Sequence, residues 1–364
     1  MKILDKYILK KYFGTFAFML LLLSLVILVI DVQAKAPRIK ENGFEVSYFL
    51  YSYYPYYIIY LVMTFMSILV FISVIYFTSR IANNTEIVAY ISSGASFNRF
   101  AKPYFFASLF IALVSLGINH YVLPWANVQK NELEAYTYNS MNREKILGSA
   151  SVSAQISKEE YIFISSYNKK EKRGSGFSYQ KFDKNKRLIY QMNAAELSWD
   201  AKKKTFQFNS FFEKTIFKND SEKLRSGSQM YKSFGHPPEE LFPSELLGQN
   251  KITPDLLRFI RTEKQKGNAN VNVYLNELHL RTSMPVSIIV LTFLALSLSS
   301  QKRRGGLGLN LAIGISLAFL FVFSFEALKV VSQNQNLSPM LAMWLPNIVF
   351  GPLAAFLYLK RANQ

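Results

Sequence analysis

The sequence contains no cysteine and only three histidines. Without cysteine the chain can form no disulfide bond, no thiolate metal site and no cysteine nucleophile. The histidines, His120, His236 and His279, lie far apart and show no metal-binding His-x-x-His or His-Glu-x-x-His spacing. The nucleotide-binding pattern Gly-x-x-x-x-Gly-Lys-Ser/Thr and the Gly-x-Ser-x-Gly pattern of serine hydrolases are also absent. We therefore expect a protein that is not an enzyme, with no catalytic residue, no metal and no cofactor.

Hydrophobic residues, in contrast, are abundant and occur in blocks. They make up 50% of the 364 residues, including 31 Phe and 22 Tyr, which is more than an average soluble protein carries. Six blocks are predicted to cross a membrane: residues 13–30, 58–77, 104–123, 286–298, 307–327 and a segment from Ser338-Pro339 to Lys360-Arg361. The first block is interpreted as an uncleaved span because it lacks a small-x-small cleavage site. The third block is expected to end at Pro124.

The net charge of +18 is a feature that nucleic-acid-binding proteins share. Here the basic residues form no single basic face or motif, so we expect no nucleic acid partner. With the N-terminus in the cytoplasm, twelve basic residues flank the spans on the inside: Lys2, Lys6, Lys10, Lys11, Arg80, Arg99, Lys102, Lys302, Arg303, Arg304, Lys360 and Arg361. The short outer loops hold four: Lys35, Arg38, Lys40 and Lys329. This bias predicts cytoplasmic termini and an external middle region.

The region between the third and fourth blocks has short alternating segments instead of apolar runs. Residues 161–164, 177–182, 188–197 and 205–209 are predicted strands separated by polar turns. Several short strands in a row are typical of a sandwich, a jelly roll or an open barrel. Farther on, Thr253-Pro254-Asp255 predicts a helix start, since it combines an N-cap, a proline at the first position and an acid in the first turn.

These patterns predict a membrane α-helical plus β fold, with three spans on each side of an inserted β-domain. Residues 1–123 are assigned to spans 1 to 3, and residues 124–250 to the external β-domain. Residues 251–283 are expected to form a helical connection, and residues 284–364 to hold spans 4 to 6.

The short connection between the second and third spans has the pattern of a helix. The Asn-Asn-Thr sequence at residues 83–85 offers N-cap oxygens, Glu86 falls in the first turn, and Gly94 provides a C-terminal stop. Ile87 and Ile91 are four residues apart and therefore share a face. A capped helix between two spans is expected to serve as a docking surface. The alternative is a solvated loop that happens to contain capping residues.

Five segments match a pattern found in one family of bacterial membrane proteins. They are Glu86, Gly94 and Ser96 of this connection, the lysine-rich start at residues 4–13, an Asp-Lys-Asn turn followed by Ala-Glu-x-x-Trp-Asp at residues 195–200, the segment 277–285, and Trp344-Leu345-Pro346-Asn347. Together they resemble the LptF/LptG permeases of lipopolysaccharide export, over nearly the whole chain. The connection then resembles the coupling helix of that family, here at about residues 84–94. The inserted domain at residues 124–250 then resembles the family's periplasmic β-jellyroll, between spans 3 and 4.

The resemblance implies a permease subunit of the ABC transporter that extracts lipopolysaccharide from the inner membrane. Its implied partners are a cytoplasmic ABC ATPase dimer, a second LptF/LptG-type permease (a paralogue or another copy), a periplasmic jellyroll bridge protein, lipopolysaccharide and membrane lipid. ATP hydrolysis would belong to the partner subunit. Two other classes stay open, a non-transporting subunit that transmits ATPase motion to an envelope partner, and a membrane enzyme of the cell envelope. No candidate nucleophile or metal set supports the enzyme.

Three groups of residues are candidate sites, and each has a simpler alternative. The ATPase-coupling candidates are Glu86, Ile87, Tyr90, Ile91 and Gly94. The lipid-headgroup candidates are Lys35, Arg38 and Lys40, which could instead only be solvated at the interface. The acyl-chain path candidates are Leu188, Tyr190, Met192, Phe206 and Phe208, whose alternative is a closed, dry core. Glu326 is the one carboxylate inside a predicted span, and an i, i+3 ion pair with Lys329 is favoured over a functional role.

Overall fold

A computed structural model of the chain describes residues 3–138, 152–168, 172–201, 203–217, 219, 221–235, 237–241, 247–266, 271–301 and 306–363. Six helices in these ranges are long and apolar enough to cross a membrane. They are span 1, Ile3–Glu41; span 2, Tyr54–Asn83; span 3, Phe97–Glu134; span 4, Val271–Ser299; span 5, Gly306–Gln333; and span 6, Pro339–Ala362. The predicted fold class of six spans and an inserted β-domain is confirmed. His236 and the basic turn at residues 302–304 lie outside the described residues.

Spans 2 and 4 form the centre of the helical bundle. Their buried side chains, such as Val70, Phe71 and Leu294, belong to one apolar cluster that also takes in side chains of spans 1, 3, 5 and 6. Small hydroxyl side chains connect the central pair, since the Ser67 and Ser287 oxygens lie 2.7 Å apart in a buried contact. Such residues allow close approach of helices within a membrane.

Span 3 does not end at Pro124, and the expectation that it would was wrong. The helix runs as Phe97–Gly117, passes through a π-helical turn at Ile118–Val122 and continues as Leu123–Glu134. Proline removes one backbone donor and clashes with the preceding turn of a regular α-helix. The π-turn just before Pro124 changes the hydrogen-bond register there, so the helix can continue.

Short helices connect the spans to each other and to the β-domain. Val46–Ser52 lies between spans 1 and 2, and Glu86–Ser92 lies between spans 2 and 3. Pro238–Leu241, Leu247–Asn250 and Thr253–Lys266 follow the β-domain. The helix predicted to start at Thr253 is therefore confirmed. The division into four units at residues 123, 250 and 283 stays a prediction.

The β-domain contains one antiparallel sheet in which each described strand pairs with the next along the chain. The strands are β1, Val152–Ser157; β2, Glu160–Asn168; β3, Arg173–Phe182; β4, Leu188–Asp200; β5, Thr205–Ile216; and β6, Glu222–Lys232. In the described sheet β1 and β6 are therefore the edges. β6 is exposed along most of its length, as expected of an edge strand that solvent can reach.

At one row of the sheet, the spacing between buried residues changes from two to three in the central strands β4 and β5. In β4 the buried positions change from Met192 and Ala194 to Leu197, and in β5 from Phe206 and Phe208 to Phe211. Successive residues of a strand point to opposite faces of the sheet. Two residues three positions apart can therefore both be buried only if the backbone turns between them. The strands nevertheless keep their pairing across this row. The inner, apolar surface therefore continues past the row while the sheet bends.

A contact between residues at opposite ends of the paired strands shows how far the sheet bends. Lys232 of β6 pairs with Phe206 at one end of the sheet. Its Nζ nevertheless lies 4.5 Å from the ring centroid of Tyr190, which pairs with Thr215 near the other end of β5. Strand rise is about 3.3 Å per residue, so a flat sheet would hold these groups far apart. The sheet is folded over, with its apolar surface inside, in agreement with the predicted jellyroll-like form.

Candidate functional site

The connection between spans 2 and 3 contains the helix Glu86–Ser92, which confirms the helix predicted there. It ends as expected, because Gly94 has a φ of +84° and its N–H donates to the carbonyl oxygen of Ile91 at 3.0 Å. Its start differs from the expectation. Thr85 has a left-handed φ of 61°, and its side chain caps no N–H of the helix.

The Glu86 carboxylate is bonded within the chain from two sides. The Tyr7 hydroxyl donates to Oε2 at 3.0 Å, and the Asn84 side-chain amide donates to Oε1 at 3.1 Å. Both bonds lie at the exposed surface. A carboxylate can accept about four hydrogen bonds, so the Glu86 carboxylate has a fixed direction and can still accept a bond from a partner.

Most of the large apolar side chains of this helix pack against the membrane spans of the same chain. Ile87 is 1% exposed and belongs to the apolar cluster of the bundle. Tyr90 and Ile91 pack against the same cluster, and the Tyr90 ring lies 5.7 Å from that of Phe100 in span 3. Val88, in contrast, is 56% exposed. Ile87 therefore attaches the helix to the bundle, and Val88 is the large apolar side chain that a partner can reach.

The start of span 1 is attached to the same region. An oxygen of Asp5 lies 2.7 Å from the Arg99 guanidinium at the start of span 3, and the Asp5 side chain is only 10% exposed. Ile8 and Tyr12, one and two turns further on, are buried in the bundle. Beyond Tyr12 the helix is mostly uncovered. Span 1, span 3 and the helix Glu86–Ser92 thus form one connected unit at this end of the bundle.

Two of the three headgroup candidates are exposed, and the third is not. Lys35 Nζ lies 3.0 Å from an Asp31 oxygen and donates to the Tyr53 hydroxyl at 3.1 Å. This side chain is 17% exposed, so its charge is already paired inside the chain. Arg38 and Lys40, in the last turn of span 1, are exposed. They are the members of this group that an external phosphate can reach.

The acyl-chain candidates lie mostly inside the folded sheet. Met192, Phe206 and Phe208 are at most 1% exposed and form one cluster, against which Tyr190 packs. Leu188 is half-buried at the start of β4. The ring of Phe234, which follows β6, lies 6.0 Å from that of Phe206 and 6.2 Å from that of Phe208. In this conformation the chain fills the interior with its own aromatic side chains.

Glu326 forms the predicted i, i+3 ion pair, with Lys329 Nζ 3.8 Å from its Oε2. Its side chain is 68% exposed. No group of three or more His, Asp or Glu side chains with metal-binding geometry occurs among the described residues.

Sequence reasoning missed the partners of Glu86 and Arg99. Tyr7 and Asp5 lie 79 and 94 residues away from them in the chain. No local pattern connects residues so far apart. The only hint in the sequence is that Asp5 is the single acid in an otherwise basic start, since an acid near the membrane is expected to have a partner.

These features define a class of protein: a multi-pass membrane protein with an extramembrane β-domain and a helix between two spans whose outer side is accessible. The family described as "Lipopolysaccharide export system permease LptF/LptG" matches residues 6–360, and the chain belongs to this family. No curated protein matches the chain. Family membership makes the chain a bacterial inner-membrane protein with a permease role in lipopolysaccharide export.

Proposed function

We propose that this chain is a permease subunit of an ABC transporter that extracts lipopolysaccharide from the inner membrane and passes it to a periplasmic β-jellyroll bridge. The chain is not an enzyme in this proposal, and a cytoplasmic ABC ATPase dimer hydrolyses ATP. The observation that carries the proposal is the helix Glu86–Ser92, which is attached to the bundle through Ile87, exposes Val88 and holds the half-buried Glu86 beside it.

The ATPase is proposed to bind this outer side of the helix. Glu86 supplies a carboxylate of fixed direction, and Val88 supplies an apolar contact. Motion of the helix would reach span 1 through the bond from Tyr7 to Glu86 and would reach span 3 through the packing of Tyr90 on Phe100. A shift at the ATPase thus becomes a shift of two membrane helices, which is the coupling that an ABC permease requires.

A second permease is proposed to face spans 1 and 5. Span 1 leaves large apolar side chains uncovered through its middle, including Phe18 at 59% and Leu21 at 63% exposure. On span 5 an exposed stripe recurs every three or four residues, at Ile315, Phe319, Phe323, Glu326 and Val330. A carboxylate within a span faces a protein interior or a water-filled cavity rather than lipid, so the position of Glu326 favours a cavity beside this stripe.

The proposed path outside the membrane begins at the β-domain. An amphiphile that crosses water needs cover for its acyl chains, because each exposed methylene costs about 0.8 kcal/mol. The interior around Met192, Phe206 and Phe208 has the required apolar character. Among the described strands, β6 is an exposed edge that pairs only with β5, and another β-domain is proposed to add to it through main-chain hydrogen bonds. Movement of Phe234 away from the interior would make room for lipid.

The orientation is tested by single-cysteine labelling, since the chain has no cysteine of its own. In intact spheroplasts, a membrane-impermeant maleimide is expected to label Lys203→Cys and to leave Asn363→Cys unlabelled until the membrane is opened. The reason is the bias of basic residues toward the side of the termini. A tag at Lys302 is expected to behave as Asn363→Cys does. Labelling of Lys203→Cys and Asn363→Cys from the same side would contradict the architecture.

The function itself is tested by purification in mild detergent with identification of the subunits and lipids that co-elute. We expect an ABC ATPase, a second permease (a paralogue or another copy of this chain) and lipopolysaccharide. Elution with an ATPase but without any lipid, in a preparation that hydrolyses ATP, would instead support a subunit that only transmits motion.

A further inference from the structure

A lysine ammonium lies against the aromatic interior of the β-domain. Lys232, the last residue of β6, places its Nζ 4.4 Å from the ring centroid of Tyr179, 4.5 Å from that of Tyr190 and 5.7 Å from that of Phe234. The side chain reaches from one half of the folded sheet to the other. It therefore closes the interior at the side where Tyr179 and Tyr190 lie.

A carboxylate lies near each of the two tyrosine hydroxyls. The Tyr190 hydroxyl donates to Glu213 Oε2 at 2.7 Å. Burial raises the pKa of Tyr179, and the negative charge of Glu160 raises it further. Each carboxylate also has its own cation. Lys181 Nζ lies 2.9 Å from Glu160, and an Arg225 nitrogen lies 3.3 Å from Glu213. We call this set the charged rim: Glu160, Lys181, Glu213, Arg225 and Lys232.

Lys232 differs from the other cations of the charged rim. Within the described part of the chain, no carboxylate oxygen lies within ion-pair distance of its Nζ, and its close neighbours are ring faces. Burial lowers the pKa of Lys232, and the negative charges of Glu213 and Glu160 oppose that shift. Each ring face attracts the ammonium more weakly than a charge-assisted hydrogen bond to an anion does, and a phosphate offers several oxygens to the ammonium donors at once. An anion that arrives beside the rings can therefore take the ammonium from them.

We propose that Lys232 is a phosphate ligand of the β-domain and that it leaves the Tyr179, Tyr190 and Phe234 rings when a phosphorylated lipid enters. This inference rests on the proposed function, since it assumes that acyl chains occupy the interior. Once they do, the headgroup of the lipid lies at the charged rim. There the phosphate meets an ammonium that is half-buried and that, within the described residues, has no carboxylate in ion-pair contact. The same movement uncovers the rings and opens the interior, so phosphate binding and acyl-chain entry support each other.

The test uses the full-length chain with its co-purifying subunits in phosphatidylcholine nanodiscs, supplied with ATP. Two probes carry a diazirine in one acyl chain: a bisphosphorylated lipid A and its dephosphorylated form. After illumination, adducts on β3, β4 and β5 are counted by mass spectrometry and divided by adducts on the spans. Division by the adducts on the spans corrects for any preference between the two probes that arises inside the membrane.

The wild type is expected to favour the phosphorylated probe in this ratio, and Lys232→Gln to reduce that preference about tenfold, which corresponds to about 1.4 kcal/mol. Lys232→Arg should retain the preference, because arginine also binds phosphate. The matched control is Lys203→Gln. Lys203 also lies over a ring, 4.7 Å from the centroid of Tyr231, but both residues are exposed. This control should behave as the wild type does.

An unchanged preference in Lys232→Gln would overturn the proposal. So would an equal loss of both probes in Lys232→Gln, because that result indicates a purely structural role. Equal labelling by both probes in the wild type would show that Lys232 is not a phosphate ligand, while still supporting the proposed lipid path. If neither probe labels the β-domain while the transporter exports lipid, the proposed path fails as well.

Discussion

Glu86→Lys is expected to reduce the amount of ATPase that co-purifies with the chain by tenfold or more, and to stop ATP-driven lipid release. The loss of one partner from a buried charged hydrogen bond costs on the order of 2–5 kcal/mol. The Glu86 carboxylate is already directed by Tyr7 and Asn84, so the change of charge acts at a prepared position. Quantitative blotting of the eluted subunits measures the first effect, and ATPase-dependent lipid release measures the second.

Two further variants separate docking from the structure of the chain. Tyr7→Phe removes one intrachain bond of Glu86 and keeps its charge, so ATPase retention should be close to that of the wild type. Val88→Asp alters only the exposed side of the helix and should lower retention as Glu86→Lys does. Normal retention of the ATPase and normal lipid release with Glu86→Lys would show that this helix is not part of the ATPase interface.

Arg281→Met is expected to destabilise the connection between the β-domain and span 4 by about 3–5 kcal/mol, the usual cost of breaking a buried ion pair. The Arg281 side chain is 2% exposed. It donates to Glu277 at 2.9 Å, to the Thr253 hydroxyl at 2.9 Å and to the Gly248 carbonyl at 3.0 Å. Methionine would leave all three without this donor, so the helix Thr253–Lys266 would be held to span 4 mainly by apolar packing such as that of Phe259 on Tyr274.

Hydrogen exchange of the purified chain measures this effect. Amides of the helix Thr253–Lys266 should exchange about a hundredfold to a few thousandfold faster in Arg281→Met, since each 1.4 kcal/mol is a factor of ten. The matched control is Arg258→Met in the same helix. Arg258 pairs with Asp255 at 2.6 Å, but it is 78% exposed, and exposed pairs contribute about 0–1 kcal/mol. Equal exchange in the two variants would show that Arg281 is not the attachment.

The spans and the strands of this chain could be predicted from its sequence because each has a local signal. Apolar blocks of the right length mark the spans, and alternation with polar turns marks the strands. The helix after Thr253 and the end of the helix at Gly94 were predicted for the same reason. Pro124 carried a local signal that was misleading, because the π-turn at Ile118–Val122 lets span 3 continue.

The directions of side chains could not be predicted in the same way. Ile87 and Val88 are neighbouring apolar residues, and only the packing of the bundle decides that the first is buried and the second exposed. Lys35 is a basic residue at the end of a span, as a headgroup ligand would be, but its ammonium is already bonded to Asp31 and Tyr53. The contact of Lys232 with Tyr190 depends on the bend of the sheet. The directions of Ile87, Val88 and Lys232 therefore depend on tertiary contacts. Lys35 is different, because Asp31 lies only four residues away in the same helix and an i, i+4 pair is a local pattern.

The central claim, that lipid passes from the spans into the β-domain under the control of ATP, is tested most directly by a photo-crosslinking residue at Phe208. This side chain is fully buried inside the folded sheet, and the exposed Lys203 serves as the control position. In the reconstituted transporter, the probe at Phe208 should capture lipopolysaccharide only when ATP is supplied, and the probe at Lys203 should capture none. Failure to label lipid at Phe208 during demonstrated export would contradict the account and leave the β-domain a docking module.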